Sequence, residues 1–303
     1  MCTFNGVLWM MSVVDDSGVV SGDKVKGRLE AGALAPVVES RVAVKTAMFV
    51  LSQKGGVGKT TFSRAWLDVA RGRGRRVAAL DADGKVGQLL RFYGTREASD
   101  PSKRSKVQDP LMGVGYFDVR DAKQRDEIVN LVETEADWMI VDMPGGSMHE
   151  MDNVVGDGKS LIGAYVDNGW RVVIVVVIDH LMTPTRTVLE SMKMFGDRAS
   201  YVVVKNLAVA NPDEFIVFDG YMTKAGESKY GNARRQLEER GGEVVEMPRL
   251  EPRTYALIDV ESLSFADAAA NTERKLEIAD SMRAKRFLEK FEACLSESKV
   301  IDP

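Results

Sequence analysis

Hydrophobic and polar positions alternate along this chain in two rhythms. Short runs dense in Val, Ile, Leu and Met have the length of single strands, and stretches with apolar residues three or four apart fall between several of them. The strands expected on this basis are Ala47–Ser52, Arg76–Asp81, Leu111–Phe117, Trp138–Asp142, Arg171–Asp179, Tyr201–Lys205 and Glu243–Met247. Helices are expected over Thr60–Arg71, Asp121–Glu135 (on Ile128, Leu131 and Val132), Thr185–Phe195 and Glu273–Leu295. The unbroken run Val172–Ile178 is the mark of a central strand covered on both faces. The alternation predicts an α/β fold, a mostly parallel twisted sheet with helices on both faces and right-handed crossovers. Ligands of such sheets bind beyond the carboxyl ends of the strands.

After the first strand comes Gln53-Lys54-Gly55-Gly56-Val57-Gly58-Lys59-Thr60-Thr61, and then a helical run. Strand, glycine-rich turn and helix is the setting of a phosphate-binding loop. Gly55, Gly56 and Gly58 let the backbone turn tightly and aim successive N–H groups, that of Val57 among them, at a polyphosphate. The helix that begins around Lys59, Thr60 and Thr61 adds its own free N–H groups and the positive end of its dipole. Lys59 is placed to reach the β- and γ-phosphates, and the Thr60 hydroxyl to hold Mg²⁺. The usual first glycine of the pattern is replaced by Gln53, and a second lysine, Lys54, follows it. In this form the loop resembles the deviant Walker A loop of the ParA/MinD family of ATPases. The resemblance implies a P-loop NTPase fold, ATP with Mg²⁺ as ligand, and an ATP-dependent homodimer in which Lys54 reaches the partner's nucleotide. A glycine-rich turn carrying two lysines is the plain alternative.

The second strand ends Leu80-Asp81-Ala82-Asp83-Gly84. This Asp-x-Asp resembles the first switch region of the family, which implies that Asp83 orients or activates the attacking water and that Asp81 supports the Mg²⁺ shell. Phosphoryl transfer needs a placed water and screened charge more than covalent help. Two strand-end acids capping the next turn are the plain alternative. Gly84-Lys85-Val86-Gly87-Gln88 departs from the Asp-Pro-Gln-Gly-Asn of many plasmid-partition members. Further on, Trp138 to Asp142 delivers an acid to a strand end, the Walker B position, where Asp142 holds Mg²⁺ through water. Pro144-Gly145-Gly146-Ser147 resembles the second switch, with Gly145 offering an N–H that senses a γ-phosphate. Otherwise it is an ordinary turn.

For the base, Val203-Val204-Lys205-Asn206 ends a strand at the rim, where related proteins set an Asn against the purine. The Asn/Thr-Lys-x-Asp order of a GTPase is absent, which favours adenine. Met247-Pro248-Arg249-Leu250 resembles the Ile-Pro-Arg-Asn segment of ParA proteins, which places Pro248 beside adenine. Plain loop roles stand as the alternative for Asn206 and Pro248.

Length and charge bound the rest. The 303 residues, 45% of them hydrophobic, suffice for one large α/β domain. A net charge of −4 advertises no global basic field, so DNA contact would need a local patch. The stripe Ala284, Phe287, Leu288, Phe291 and Leu295 marks a packed C-terminal helix. Arg274, Lys275, Arg283, Lys285, Arg286 and Lys290 lie off that stripe, either as a solvated face or as a nonspecific DNA patch that Arg234, Arg235 and Arg240 would extend. Glu289, Glu292 and Glu297 weigh against a membrane surface. Cys2 and Cys294 offer neither a disulfide framework nor iron ligands near a switch, and suit the cytoplasm. Met1–Val14 lacks the basic start of a signal peptide. His149 and His180 stand alone. Residues 1–45 read as a flexible arm, 46–296 as the ATPase domain, 297–303 as a tail, and 94–110 as a mobile polar loop.

Three functions are compatible with these residues. One is a partition-type ATPase switch that binds DNA and an adaptor protein, or its stability and conjugative-transfer relatives. The others are a metabolic ATP-dependent enzyme of the same superfamily and a nucleotide-regulated interaction module.

Overall fold

The computed structural model describes residues 44–100 and 103–303. The expectation of a flexible arm over residues 1–45 therefore falls, but for its last two positions, outside the described residues. The strands are β1 Lys45–Leu51, β2 Val77–Asp81, β3 Gly115–Tyr116, β4 Trp138–Asp142, β5 Trp170–Ile178, β6 Ala199–Asn206, β7 Tyr221–Met222, β8 Ser228–Lys229 and β9 Glu243–Met247. The helices are α1 Lys59–Gly72, α2 Gln88–Tyr93, α3 Glu127–Asn130, α4 Met148–Asp152, α5 Gly158–Asp167, α6 Met182–Phe195, α7 Ile216–Asp219, α8 Asn232–Glu239, α9 Pro252–Val260, α10 Phe265–Ala270 and α11 Ile278–Ser296.

Seven strands form one parallel sheet in the order β3-β2-β4-β1-β5-β6-β9, and β7 and β8 make a separate short hairpin. Strand pleating sends alternate side chains to opposite layers. Ala47, Phe49 and Leu51 of β1 pack in the layer that also holds Leu161, Tyr165, Met192 and Phe195 of α5 and α6. Met48 and Val50 face the layer built by Phe62 and Trp66 of α1 and by Phe287 and Phe291 of α11. The fully buried β5 run confirms the central strand that its composition predicted. The chain fills one side of β1 with β4, β2 and β3, and the other with β5, β6 and β9. The loop after β1 therefore sits where the strand order diverges, the place such sheets keep for ligands.

Three expectations are corrected, and one loop shows a local brace. Leu111–Phe117 yields only the two-residue β3, because Gly113 N–H turns back to Asp109 O (2.7 Å) and Arg71 donates to the carbonyls of Pro110, Leu111 and Gly113. Asp121–Glu135 is not one helix. Its carbonyls at Ile128 and Val132 are captured by Tyr165 Oη (2.5 Å) and Trp170 Nε1 (2.9 Å), so only α3 and a following 3₁₀ turn form. The described part of the 94–110 loop is cross-braced: the Gln108 amide accepts from Thr95 N–H (2.7 Å) and donates to Thr95 O (3.1 Å). The segment 297–303 is no free tail. Ile301 is fully buried against the α1–α11 layer, and Trp66 Nε1 donates to its carbonyl at 2.8 Å.

That last contact gives a stability prediction. Ile301→Ala should cost about 2–5 kcal/mol, the range for emptying a packed aliphatic site. Urea denaturation checks it, and a loss below about 0.5 kcal/mol would mean that the segment contributes nothing to the core.

A second prediction concerns Asp68 on α1. Burial pushes its carboxyl up to about 7, against the opposing hydrogen bonds from Tyr93 Oη (2.7 Å) and Ala266 N–H (3.0 Å). A carboxyl raised above its ordinary value of about 3.9 binds its proton more tightly folded than unfolded. Its contribution is therefore present at low pH and is lost as pH rises from about 4 to about 7. Asp68→Asn should gain on the wild type across that window. A difference in unfolding free energy that is flat with pH would refute the assignment.

Candidate nucleotide-binding site

The loop between β1 and α1 turns through left-handed backbone at Gly56 (φ 76°) and Gly58 (φ 103°). A Cβ at Gly58 would stand 2.5 Å from Asn206 Nδ2 and 3.2 Å from Met247 Cε, so only glycine fits. Around Gly55 and Gly56 nothing lies within 4 Å of a built Cβ, which leaves that side of the loop open to a ligand. Lys59 begins α1, is buried, and donates from Nζ to Lys54 O at 3.3 Å. Burial lowers its pKa, against the carboxylate charges of Asp142 and Asp83.

Asp81 and Asp142 end neighbouring strands in register, and both are buried. Thr60 Oγ1 donates to Asp142 Oδ2 at 2.6 Å and Ser63 Oγ to its Oδ1 at 2.9 Å. Burial pushes both carboxyls up, and the charge of Asp142 raises Asp81 further. Two buried carboxyls beside a hydroxyl, with too little positive charge between them, are a donor set that a small divalent cation suits. Thr60 and Asp142 would hold it. Asp81, expected in the Mg²⁺ shell, has a bracing part as well. Its Oδ1 accepts from Asp83 N–H (3.1 Å) and its Oδ2 from Leu90 N–H (2.9 Å), so it braces the switch segment from beneath.

Asp83 is half-exposed, and its Oδ1 accepts from Arg120 Nη2 at 2.5 Å. Backbone pairing of Asp83 with Asp118 brings this arginine in. Lys54 extends to Asp179, with Nζ 2.6 Å from Oδ2 of that buried carboxylate at the end of β5. Arg120 and Asp179 were missed in the sequence. Asp179 carried a usable signal, being a strand-end acid like Asp81 and Asp142. Arg120 carried none, since its stretch has no pattern of its own. The second switch lies against the phosphate loop: a Cβ at Gly145 would be 3.3 Å from Gly55 N, and Gly146 N–H donates to Ser52 O at 3.3 Å.

Beside the loop opens a cavity of about 340 Å³, lined by Gly58, Thr61, Asn206, Pro248 and Tyr255 among others. Asn206, expected against the base, lines this cavity and has a bracing part as well. Its Nδ2 donates to Val57 O (2.8 Å) and its Oδ1 accepts from Ala208 N–H (3.0 Å), so it ties β6 to the phosphate loop from the cavity wall. The Thr61 hydroxyl is likewise engaged, 2.9 Å from Tyr255 Oη.

The C-terminal cations are largely paired. Arg283 meets Asp280 and Lys275 meets Glu273, while Arg234, Arg235 and Arg240 meet Asp219, Glu239 and Asp197. Helix α11 itself begins at Ile278, because the Asn271 side chain bonds both N–H and C=O of Leu276 and closes a turn there. The His149 ring lies within hydrogen-bonding distance of the Asn153 amide, and no group of three metal-ligating side chains occurs among the described residues. No described helix is long and apolar enough to cross a membrane.

Residues 48–296 match the family model described as the CobQ/CobB/MinD/ParA nucleotide binding domain. The chain belongs to this family. Nucleotide binding is therefore the family property that the loop geometry serves. No curated protein matches the sequence. Among solved structures, the chain is similar to a ParA family ATPase from Chlorobium tepidum TLS, at 12% identity and a TM-score of 0.47, over 82% of this chain and 98% of that one. It is similar also to the MinD cell division protein of Aquifex aeolicus, at 17% identity and a TM-score of 0.42, over 82% and 97%. A nucleotide-binding protein from Archaeoglobus fulgidus, in complex with ADP, is 19% identical with a TM-score of 0.40, over 73% and 88%.

Proposed function

We propose that this member of the CobQ/CobB/MinD/ParA family is an ATP-binding, ATP-hydrolysing dimerisation switch of the ParA/MinD type. The observation that carries the reading is the convergence of Lys59, Thr60, Asp83 and Asp142 at the carboxyl ends of three adjacent strands, around one open glycine loop. Backbone N–H groups from Gly55 to Thr61 cradle the phosphates, and Lys59 balances their charge. Thr60 and Asp142 would hold Mg²⁺, which would supply screening of the remaining phosphate charge. Asp83 orients the attacking water, with Arg120 fixing its carboxylate. The Gly145 loop, already against Gly55, is placed to respond to the γ-phosphate. The cavity beside Thr61 and Pro248 takes the adenine.

In this reading Lys54 exchanges partners. Within one chain it is held by Asp179; in the ATP-bound homodimer it leaves that carboxylate for the nucleotide of the other subunit. The partners implied are a second copy, an adaptor protein that stimulates slow hydrolysis, and nonspecific DNA. The task is plasmid or chromosome partition, in the cytoplasm. An accessory role in plasmid stability or conjugative transfer differs only in what docks on the switch loops.

The test is Lys54→Ala beside Asp179→Asn. Lys54→Ala should lose ATP-dependent dimerisation in sedimentation and at least about 100-fold in turnover, as for other cations supplied across an interface to a transferring phosphoryl group. Asp179→Asn should free Lys54 and lower the ATP concentration at which dimers form. If Lys54→Ala dimerises and turns over unchanged, the cross-subunit role is wrong.

A further inference from the structure

On α11, Arg286 and Lys290 make no ion pair among the described residues, but a closer set of unpaired cations lies elsewhere. Beside β3, the edge strand of the sheet, a groove of about 680 Å³ is lined by Lys85, Arg96, Arg104, Ser105, Lys106 and Tyr116. No acid lines it. None of the four cations makes an ion pair among the described residues, whereas Lys103 next to them pairs with Asp100 at 3.0 Å. Arg96 and Arg104 are brought opposite each other by a backbone bridge. The Nε of Arg104 is buried and has no hydrogen-bond partner, a donor left over in a groove of donors.

Four like charges sharing one groove repel, and a bound anion relieves that repulsion and satisfies the spare donors. Guanidinium forks, ammonium groups and two hydroxyls match the oxygens of phosphodiesters. An acidic protein segment would also want an apolar anchor, and the only aliphatic residue lining the groove among the described residues, Leu90, is fully buried. We propose that this groove binds the phosphate backbone of nucleic acid, without regard to sequence. The site is distinct from the C-terminal patch and stands whether or not the chain hydrolyses ATP. Lys85 lies within the segment that follows Asp83, and Arg104 Nη1 reaches its carbonyl at 3.5 Å, so the groove borders the first switch.

The experiment measures anisotropy of a labelled random-sequence duplex with the full chain, without nucleotide and with ADP or ATP, at about 50 and about 200 mM salt. Arg96→Glu with Lys106→Glu changes two exposed side chains, and Arg96→Gln with Lys106→Gln is the milder pair should the first fail to fold. In the state that binds best, the variants should bind at least about 10-fold more weakly, with a salt slope shallower by about 1–2. Arg283→Glu with Lys285→Glu should change affinity by less than about 3-fold, since both residues already face acids. The proposal is overturned if the wild type binds duplex in no nucleotide state, if the groove variants bind as it does, or if only an acidic peptide competes at the groove. Binding of a fluorescent ATP analogue to the same preparations reports separately on the nucleotide reading.

Discussion

Asp142→Asn is expected to raise the thermal stability of the nucleotide-free protein and to lower ATP turnover at least about 1,000-fold. Asp142 and Asp81 sit side by side, buried, with no cation paired to either among the described residues. Burial disfavours both charged forms, the charge of Asp83 adds to it at Asp142 and that of Asp142 at Asp81, and the two carboxyls are pushed up to about 6 and about 7. Asparagine keeps the shape, and its amide still meets the hydroxyls of Thr60 and Ser63, but one buried charge is gone. The folded state is relieved, and the melting temperature measured in chelator should rise by a few degrees. The same change removes the carboxylate that the proposed Mg²⁺ needs, so tight nucleotide binding and turnover fall together. A stability gain paired with a functional loss marks a residue strained for its task. Turnover near the wild-type rate would remove Asp142 from the site. A melting temperature several degrees lower would mean that its two hydroxyl bonds outweigh the repulsion.

Gly58→Ala should cost about 3 kcal/mol or more of folding stability and weaken nucleotide binding at the same time. Two physical causes act together. A φ of 103° is foreign to a residue with a Cβ, and that Cβ would meet the Asn206 amide at 2.5 Å. Asn206 cannot yield cheaply, because its amide joins the Val57 carbonyl to the Ala208 N–H. Pushing it aside deforms the phosphate loop itself. The double variant Gly58→Ala, Asn206→Ala separates the causes: the clash is relieved and the backbone strain stays. Urea denaturation of both should show the second change recovering part of the loss made by the first. Full additivity of two separate losses would show that the contact between these residues is not what excludes a side chain at position 58.

Much of the site was legible because its chemistry is local. Glycines, lysine and threonine act through the backbone of one loop, and the acids of β2 and β4 stand at the ends of runs whose burial is written in their composition. Asp121–Glu135 was misread because helical spacing there serves packing, while side chains from α5 and β5 compete for the helix's own carbonyls. The final residues looked polar enough to be a tail, yet Ile301 is drawn in by the space between α1 and α11 and by the indole of Trp66.

The sequence by itself determined the α/β layering, the phosphate loop and the strand-end acids, since periodicity and loop chemistry depend on neighbours along the chain. Which charge meets which was decided only by tertiary structure. Lys54 finds Asp179, 125 residues away, because β1 and β5 pair in register. Arg120 finds Asp83 because the chain after β3 runs beside the end of β2. Arg234, Arg235, Arg240 and Arg283 lose their apparent freedom to nearby acids, whereas Arg96, Arg104 and Lys106 make no ion pair among the described residues. Coulomb energy follows distance in space, and sequence separation carries no information about it.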